Sequence, residues 1–116
     1  MKTTLLDTSF ILTCIRQKID FFEELEFQGL KIIIPIQVIK ELEGLSKKQE
    51  AKIALQLLKK QKFTKTDLKT KNVDSGIIAY ANKNKKVIIA TLDKEIKDKA
   101  ENQKLVIRGK KKLEIR

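Results

Sequence analysis

Hydrophobic residues along the chain form two kinds of pattern, short apolar runs and longer segments with helical spacing. The short runs are rich in β-branched residues and are bounded by polar or turn-forming positions, which is typical of strands buried in a sheet. They predict four strands, at residues 3–6, 31–34, 86–91 and 105–107, and two weaker ones that begin at Phe63 and Leu113. Pro35 ends the second strand and suits the first turn of a helix.

Apolar residues at intervals of three and four predict helices between these strands. The segments are residues 18–27, 36–45, 73–83 and 94–103, one that begins near Phe10, and one capped by Ser46 that runs to about Gln61. Strands that alternate with helices are typical of α/β proteins. We therefore predict a three-layer α/β/α sandwich with a mainly parallel central sheet, in one domain that spans residues 1–116.

The composition excludes several kinds of chemistry. The chain of 116 residues has no histidine, which rules out Ser-His-Asp triads, Cys-His pairs and histidine-ligated metal sites. Cys14 is the single cysteine, so it forms no disulfide within the chain, and we expect it to pack as a small core residue. The four glycines are too scattered to form a phosphate-binding loop. Any catalysis must use carboxylates, hydroxyls, lysines or a metal held by oxygen atoms.

Charge adds a prediction about the partner. The net charge is +11, and residues 47–71 contain nine lysines against Glu50 and Asp67. This balance favours an anionic partner held through phosphate contacts, because few aromatic residues are present to stack on bases. The alternative is a lysine-rich surface that serves solubility. The sequence has no apolar run of membrane-spanning length and no signal-peptide pattern, so we expect a cytoplasmic protein with no membrane contact.

Four acidic residues stand where the predicted fold would bring them together. Asp7 follows the first strand and Asp93 follows the strand at residues 86–91. Asp74 precedes apolar residues at helical spacing, so we expect it on the inward face of its helix, while Glu41 lies at the margin of an apolar face. Each acid alone has an ordinary explanation, as a helix cap or as a flanking surface charge.

As a set, these acids are harder to explain as caps. Two carboxylates about 4 Å apart repel each other by roughly 4 kcal/mol at an effective dielectric near 20. Several such pairs would rival the ~5–15 kcal/mol net stability of a domain. A convergent cluster therefore implies raised pKa values, nearby lysines or a bound cation. Without histidine or thiolate ligands, that cation should be Mg²⁺ or Mn²⁺.

At these positions the chain resembles the PIN domains, a family of small metal-dependent ribonucleases. The resemblance covers nearly the whole chain. It rests on four segments in order, Leu5-Leu6-Asp7-Thr8-Ser9-Phe10-Ile11, Ile34-Pro35 with Val38-Ile39-Lys40-Glu41-Leu42, Asn72-Val73-Asp74-Ser75-Gly76-Ile77-Ile78, and Ile88-Ile89-Ala90-Thr91-Leu92-Asp93-Lys94-Glu95-Ile96. Relatives often have a second acid where this chain has Ser75, and some have an aspartate where it has Glu95.

The resemblance implies an endoribonuclease that uses Mg²⁺ or Mn²⁺ and leaves 5′-phosphate and 3′-hydroxyl ends. Asp7, Asp74 and Asp93 would be metal ligands, and Glu41 would be a ligand or would orient the attacking water. Thr91, Ser9 and Glu95 would support the site. The lysines expected to hold RNA are Lys47, Lys48, Lys94, Lys110, Lys111 and Lys112.

Several functional alternatives stay open at this point. The chain's ending favours the branch of the family that processes ribosomal RNA, with a ribosome-assembly protein as a candidate partner. The first alternative is an RNA-binding assembly module whose acid pocket is vestigial, and the second is a toxin ribonuclease with an antitoxin partner. A metal-dependent phosphatase or phospho-acceptor domain is disfavoured, because Ser9 stands where such phosphatases place a second aspartate. We expect a monomer or a homodimer.

Overall fold

The computed structural model describes residues 2–109 and 111–116. Its strands are β1 (Thr3–Leu6), β2 (Lys31–Pro35), β3 (Thr64–Thr66), β4 (Ile88–Ala90), β5 (Lys104–Arg108) and β6 (Lys112–Ile115). Its helices are α1 (Thr8–Arg16), α2 (Phe21–Phe27), α3 (Ile36–Gly44), α4 (Gln49–Lys60), α5 (Val73–Lys83) and α6 (Lys94–Lys99). The strands described form one sheet in the order β3-β2-β1-β4-β5-β6, parallel throughout except for β6.

The central strands have apolar residues on both faces of the sheet. In β1, Leu6 packs into the cluster that includes α1 to α4, while Leu5 packs into the cluster formed with α5 and α6. Ile89 of β4 joins Leu5, and both its neighbours in the strand join Leu6. This alternation places four helices on one face and two on the other, which confirms the predicted α/β/α sandwich. No helix in the described part of the chain is long and apolar enough to cross a bilayer.

Several predicted boundaries differ from the structure for local reasons. The predicted helix at 18–27 begins only at Phe21, because the Asp20 side chain accepts a hydrogen bond from Glu23 N and caps it. The predicted cap at Ser46 is wrong, since α4 begins after Lys48 and has no side-chain cap. Pro35 occupies the N-cap of α3 rather than its first turn. Helix α1 begins at Thr8, two residues earlier than predicted, because Asp7 caps it.

The last helix is shorter than its apolar spacing predicts. Helix α6 ends at Lys99 instead of 103. Beyond it, the Asn102 side-chain amide donates to the carbonyl oxygens of Asn84 and Val87, and the Lys104 ammonium donates to those of Ala100 and Asn102. These bonds satisfy carbonyl groups outside the helix, so the chain turns into β5 without another helical turn.

The order of the strands creates a crevice at one edge of the sheet. From β1 the chain builds β2 and β3 on one side and then returns to place β4 on the other side. The carboxyl ends of β1 and β4 therefore lie next to each other at the point where the winding direction changes. Ligands of open α/β sheets bind at such switch points. Asp7 and Thr91 directly follow these two strand ends.

Candidate active site

Asp7 is the most tightly held carboxylate at the switch point. Its backbone continues the β1–β4 ladder, with Asp7 N donating to Ala90 O at 2.9 Å, and its side chain is 4% exposed. One carboxylate oxygen accepts from Thr8 N at 2.8 Å, which caps α1. The other accepts from Thr91 Oγ1 at 2.7 Å and from Ser9 Oγ at 3.1 Å. Three donors therefore fix the orientation of this side chain.

Thr91 and Ser9 connect Asp7 to the segment that carries Asp93. Thr91 Oγ1 donates to Asp7 and accepts from Asp93 N at 3.0 Å, and the Thr91 side chain is almost fully buried. Ser9 Oγ accepts from Leu92 N at 3.1 Å. The resemblance implied supporting roles for both hydroxyls. The geometry gives each a specific one, since they join the end of β1 to the segment between β4 and α6.

Asp93 is the cap of helix α6. Its side chain accepts a hydrogen bond from Ile96 N at 3.0 Å and caps α6, as its position before a helix predicts. The side chain is half-buried, and Ile96 and Ala100 on the same face are buried. A capping carboxylate has a second oxygen that can bind another group, so capping does not exclude a place in the site.

Asp74 differs from both of these acids. The cap of α5 is Asn72, whose side chain accepts from Ser75 N at 3.0 Å, so Asp74 is not needed as a cap. Within residues 2–109 and 111–116, the Asp74 carboxylate makes no hydrogen bond or salt bridge. Asp74 is exposed at the first turn of α5, three and seven residues before the buried Ile77 and Ala81. Repulsion from other acids is nevertheless evident in its pKa.

Glu41 and Glu95 border the same site from two helices. Glu41 lies on α3 between the buried residues Val38 and Leu42, and it is exposed, which is compatible with its predicted place at the margin of the apolar face. Glu95 lies in the first turn of α6 and forms an exposed salt bridge of 3.1 Å with Lys99. The charge of Glu41 therefore acts on Asp7 and that of Glu95 acts on Asp74, while both glutamates remain exposed.

The pKa values show that these carboxylates act on one another. Burial raises the pKa of Asp7, hydrogen bonds from Thr91, Thr8 and Ser9 oppose that rise, and the charge of Glu41 adds to it. The pKa of Asp74 is also raised, by partial burial and then by the charges of Asp93, Asp7 and Glu95. All four predicted ligands are thus within electrostatic range of another member of the set.

The donor chemistry fits a hard divalent cation, whereas the side-chain positions do not yet enclose one. Every candidate donor is an oxygen, which is the ligand type of Mg²⁺ and Mn²⁺. Among the described residues, no group of three or more acidic side chains is arranged to hold a metal ion. Asp74 and Glu41 are exposed, so their rotamers can change at small cost. Asp7 and Asp93 therefore present carboxylate oxygens in fixed positions, whereas those of Asp74 and Glu41 are free to adjust.

The predicted RNA-binding lysines occupy different parts of the molecule. Lys94 begins α6 directly after Asp93, and Lys111 and Lys112 lie where β5 turns into β6 at the same sheet edge. Lys47 and Lys48 lie elsewhere, since nearby Glu50 contacts Arg16 at the end of α1 that is remote from Asp7. Lys110 lies outside the described residues.

Sequence reasoning did not single out three lysines beside Glu41. Lys40, Lys69 and Lys71 line a groove of about 580 Å³ together with Glu41. Two of them fall within the lysine-rich stretch, but nothing in their spacing distinguishes them from the others. The adjacency of Lys40 to Glu41 was the one local signal available.

Comparisons with known proteins agree with this fold. The family model described as "PIN like domain" matches residues 4–111. Ribonuclease VapC4 of Methanocaldococcus jannaschii is 33% identical over an alignment of 121 positions, which covers 94% of this chain and 92% of that protein.

Solved structures also have a similar fold. The PIN domain endonuclease Utp24 matches with a TM-score of 0.82 and 29% identity, over 97% of this chain and 90% of that one. VapBC2 from Rickettsia felis, bound to a DNA fragment from its promoter, matches with a TM-score of 0.55 and 14% identity, over 86% of this chain and 95% of that one. The second likeness shows the fold alone.

Proposed function

The chain belongs to the PIN-like domain family, and on that basis we propose that it is a metal-dependent endoribonuclease. Similarity to Ribonuclease VapC4 and to the PIN domain endonuclease Utp24 supports hydrolysis of RNA within the strand. The proposed cofactor is Mg²⁺ or Mn²⁺, and the proposed site residues are Asp7, Glu41, Asp74 and Asp93.

The observation that carries the proposal is the surroundings of Asp74. This carboxylate has no structural partner among the described residues, and its pKa is raised by burial and by the charges of Asp93, Asp7 and Glu95. Folding alone does not require a carboxylate at a position where other carboxylates repel it, because Asn72 already caps the helix. Perturbed carboxylates at a switch point are typical of functional sites.

The chain's own groups fit the requirements of phosphodiester hydrolysis. When bound, a divalent ion lowers the pKa of water and offsets negative charge on the phosphate. Asp7, fixed by Thr91, Ser9 and Thr8, and Asp93, fixed as a cap, would hold the ion with Asp74. Exposed Glu41 would orient the attacking water and take up its proton.

The bond changes in this reaction are balanced by water alone. The water oxygen attacks phosphorus and forms the new bond, and the bond from phosphorus to the 3′ oxygen breaks. The leaving 3′ oxygen takes a proton, so the products carry a 5′-phosphate and a 3′-hydroxyl.

The first test compares RNA cleavage by the wild-type protein and by Asp7→Asn in Mn²⁺. The substitution removes a charge at almost constant volume and keeps an oxygen to accept from Thr8 N, so the fold should be retained. We expect the wild type to cleave and the variant to be inactive. Equal cleavage by both proteins would refute the proposal, because no site centred on Asp7 could then be responsible.

Within this activity, we propose ribosomal RNA processing as the biological role. The agreement with the PIN domain endonuclease Utp24 along 97% of the chain, at 29% identity, supports an endonuclease of that kind. The similarity to Ribonuclease VapC4 supports the alternative, a toxin ribonuclease held by an antitoxin. Controlled expression separates them, since a toxin should arrest growth and be rescued by its antitoxin, whereas a processing enzyme should change precursor ribosomal RNA ends without arrest.

One observation favours a second candidate, an RNA-binding assembly module without catalysis. No three acidic side chains among the described residues are arranged around a common ion position. Calorimetric titration of Mn²⁺ into the free protein separates the two functions without an activity assay. We expect saturable binding that Asp7→Asn weakens, and negligible binding to the wild type would favour the assembly module.

A further inference from the structure

A groove leads away from the acidic site on the side of β3. It has a volume of about 580 Å³, and Glu41 forms part of its wall. The other wall is the segment between β3 and α5, which we call the 67–72 loop, from Asp67 to Asn72. Because this loop follows the carboxyl end of a parallel strand, it lies at the same sheet edge as Asp7. The groove therefore joins the acids to one flank of the molecule.

Positive charge lines this groove. Lys40 enters it from α3, and Lys69 and Lys71 enter it from the 67–72 loop. All three residues are exposed, and none forms a salt bridge with any described residue. Their ammonium groups are thus available to an anion that approaches from solvent. An extended chain of phosphates is the anion that suits several lysines along a groove.

A pair of polar side chains fixes the shape of the loop. Gln37 on α3 donates from Nε2 to Asp67 Oδ1 at 2.7 Å and accepts from Leu68 N at 3.1 Å. Asp67 Oδ1 also accepts from Lys69 N at 2.8 Å. These bonds tie the start of the loop to the helix that carries Lys40 and Glu41. We call Gln37 and Asp67 the clamp.

The clamp holds a backbone conformation that the loop would not adopt readily by itself. Lys69 has φ of 57°, in the left-handed region that costs energy for a residue with a β-carbon. The loop also packs closely on α5, because a β-carbon at Gly76 would lie 2.6 Å from Thr70 Cγ2 and 3.1 Å from Leu68 Cβ. The chain thus maintains a strained, closely packed loop whose exposed side chains are lysines.

We infer that this groove is a binding subsite for the phosphate backbone of single-stranded RNA, in which Lys40, Lys69 and Lys71 contact phosphates and the clamp positions the loop. This inference rests on the proposed ribonuclease function and adds the path of the substrate to it. Lys111 and Lys112 lie at the same edge on the opposite flank, so the strand would cross the acids between two basic walls. Phosphate contacts of this kind carry little sequence preference.

The first experiment measures binding of a fluorescent single-stranded RNA by anisotropy in EDTA, where cleavage does not interfere. The test variant is Lys69→Ala/Lys71→Ala. Its matched control is Lys85→Ala/Lys86→Ala, which removes the same charge from exposed residues before β4, at the opposite edge of the sheet. Each lost phosphate contact should lower the salt slope by about 0.7 and the affinity by roughly fivefold at 0.1 M salt.

We therefore expect the groove variant to bind about 25-fold more weakly, with a slope smaller by about 1.4. The control should bind within about twofold of the wild type. Equal weakening by the two double variants would overturn the inference, because binding would then depend only on total charge. Unfolding curves show whether both variants keep their fold, as exposed lysines should allow.

A second experiment tests the clamp through two changes of one residue. Asp67→Asn keeps the oxygen that accepts from Gln37 and Lys69 N, whereas Asp67→Ala removes it. If Asp67 positions the loop, the alanine variant should bind RNA three- to tenfold more weakly, about the effect of one lost hydrogen bond. The asparagine variant should bind at least as tightly as the wild type. If both variants bind more tightly, Asp67 acts only as a repelling charge, and the clamp is refuted.

The ribonuclease function and the RNA-binding groove can be refuted separately. If the wild type cleaves RNA in Mn²⁺ and Asp7→Asn does not, the ribonuclease function stands whatever the groove does. Unchanged binding and cleavage by Lys69→Ala/Lys71→Ala would then refute the subsite alone. A wild type that neither binds nor cleaves RNA would refute both.

Discussion

The acidic site has two halves, and they differ in how their carboxylates are held. In the anchored half, Asp7 and Asp93 follow the ends of β1 and β4, and hydrogen bonds from backbone and hydroxyl groups fix both side chains. In the open half, Asp74 and Glu41 lie on helices, are exposed, and have no such bonds within the described residues. In the proposed ribonuclease, the anchored half would supply oxygens in fixed positions, and the open half would adjust to the ion and the substrate.

The largest expected effect is the loss of activity in Asp7→Asn, because it removes charge from the fixed half. Cleavage should fall at least about 100-fold, the upper end of what loss of a mere supporting partner costs. Burial raises the pKa of Asp7, so the ionised group is disfavoured in the metal-free protein. The free energy of unfolding should therefore fall by no more than about 1 kcal/mol in the variant, and it could rise.

Cleavage rates and urea unfolding curves of the metal-free protein measure these two quantities. A fall in stability of several kcal/mol would show that Asp7 serves mainly as a cap for α1. Asp7→Ala is the matched variant, since it removes the capping oxygen as well as the charge.

The second-largest effect is expected from substitution of Thr91, whose hydroxyl joins the two anchored acids. Thr91→Val keeps the buried shape but removes the donor to Asp7 and the acceptor for Asp93 N. We expect a 10–100-fold loss of activity, as for other partners that orient metal ligands. Stability should fall by about 1–3 kcal/mol, because a buried carboxylate loses a donor. Thr91→Ser keeps the hydroxyl and should recover most of both losses in the same assays.

The open half was harder to predict from sequence than the anchored half, for a physical reason. Asp7 and Asp93 follow apolar runs whose period and length are local features, so their place at a sheet edge can be predicted. The exposure of Asp74 depends on which segments surround the first turn of α5, and that is a tertiary feature. Helical spacing predicted the face of α5 on which Asp74 lies, but neither its exposure nor the close contact between the 67–72 loop and α5 at Gly76.

Contacts between segments that are distant in the chain also explain the other differences between the predictions and the structure. The alternation of short apolar runs with helical segments predicted the sandwich and the strand positions. A strand buried on both faces is a continuous apolar run, which is visible in the local sequence. Ser46 has the chemistry of a cap, yet α4 begins three residues later without one. The groove beside Glu41 joins residues 30 positions apart in the chain, such as Gln37 and Asp67. No local pattern specifies such a contact.

Gly76→Ala tests how closely the 67–72 loop packs on α5, the helix that carries Asp74 of the open half. In an ordinary helix interior this change stabilises the protein by roughly 0.5–1 kcal/mol. Here the new methyl group would lie 2.6 Å from Thr70 Cγ2, and the short threonine side chain has little freedom to move away. We expect a net destabilisation of about 1–3 kcal/mol from overpacking, measured by urea unfolding. Gly44→Ala is the control, because nothing lies within 4 Å of its β-carbon position.

The smallest expected effect is on the free energy of unfolding of the metal-free protein. It is measured by substituting one acid from each half. Asp93→Ala removes the cap of α6 and should lower the free energy of unfolding by about 1 kcal/mol, whereas Asp93→Asn keeps an acceptor for Ile96 N and should be close to neutral. Asp74→Ala removes no hydrogen bond. Its loss of a favourable charge near the start of α5 is offset by relief of repulsion from Asp93 and Asp7.

We therefore expect Asp74→Ala to stay within about 0.5 kcal/mol of the wild type in urea unfolding, since exposed charges contribute little. Calorimetry should nevertheless show weaker Mn²⁺ binding for it. A residue whose removal leaves the fold intact but impairs ion binding is retained for the site rather than for the helix. If Asp74→Ala instead destabilised the protein as much as Asp93→Ala, both acids would be structural, and the two halves of the site would not differ in the way the hydrogen bonds indicate.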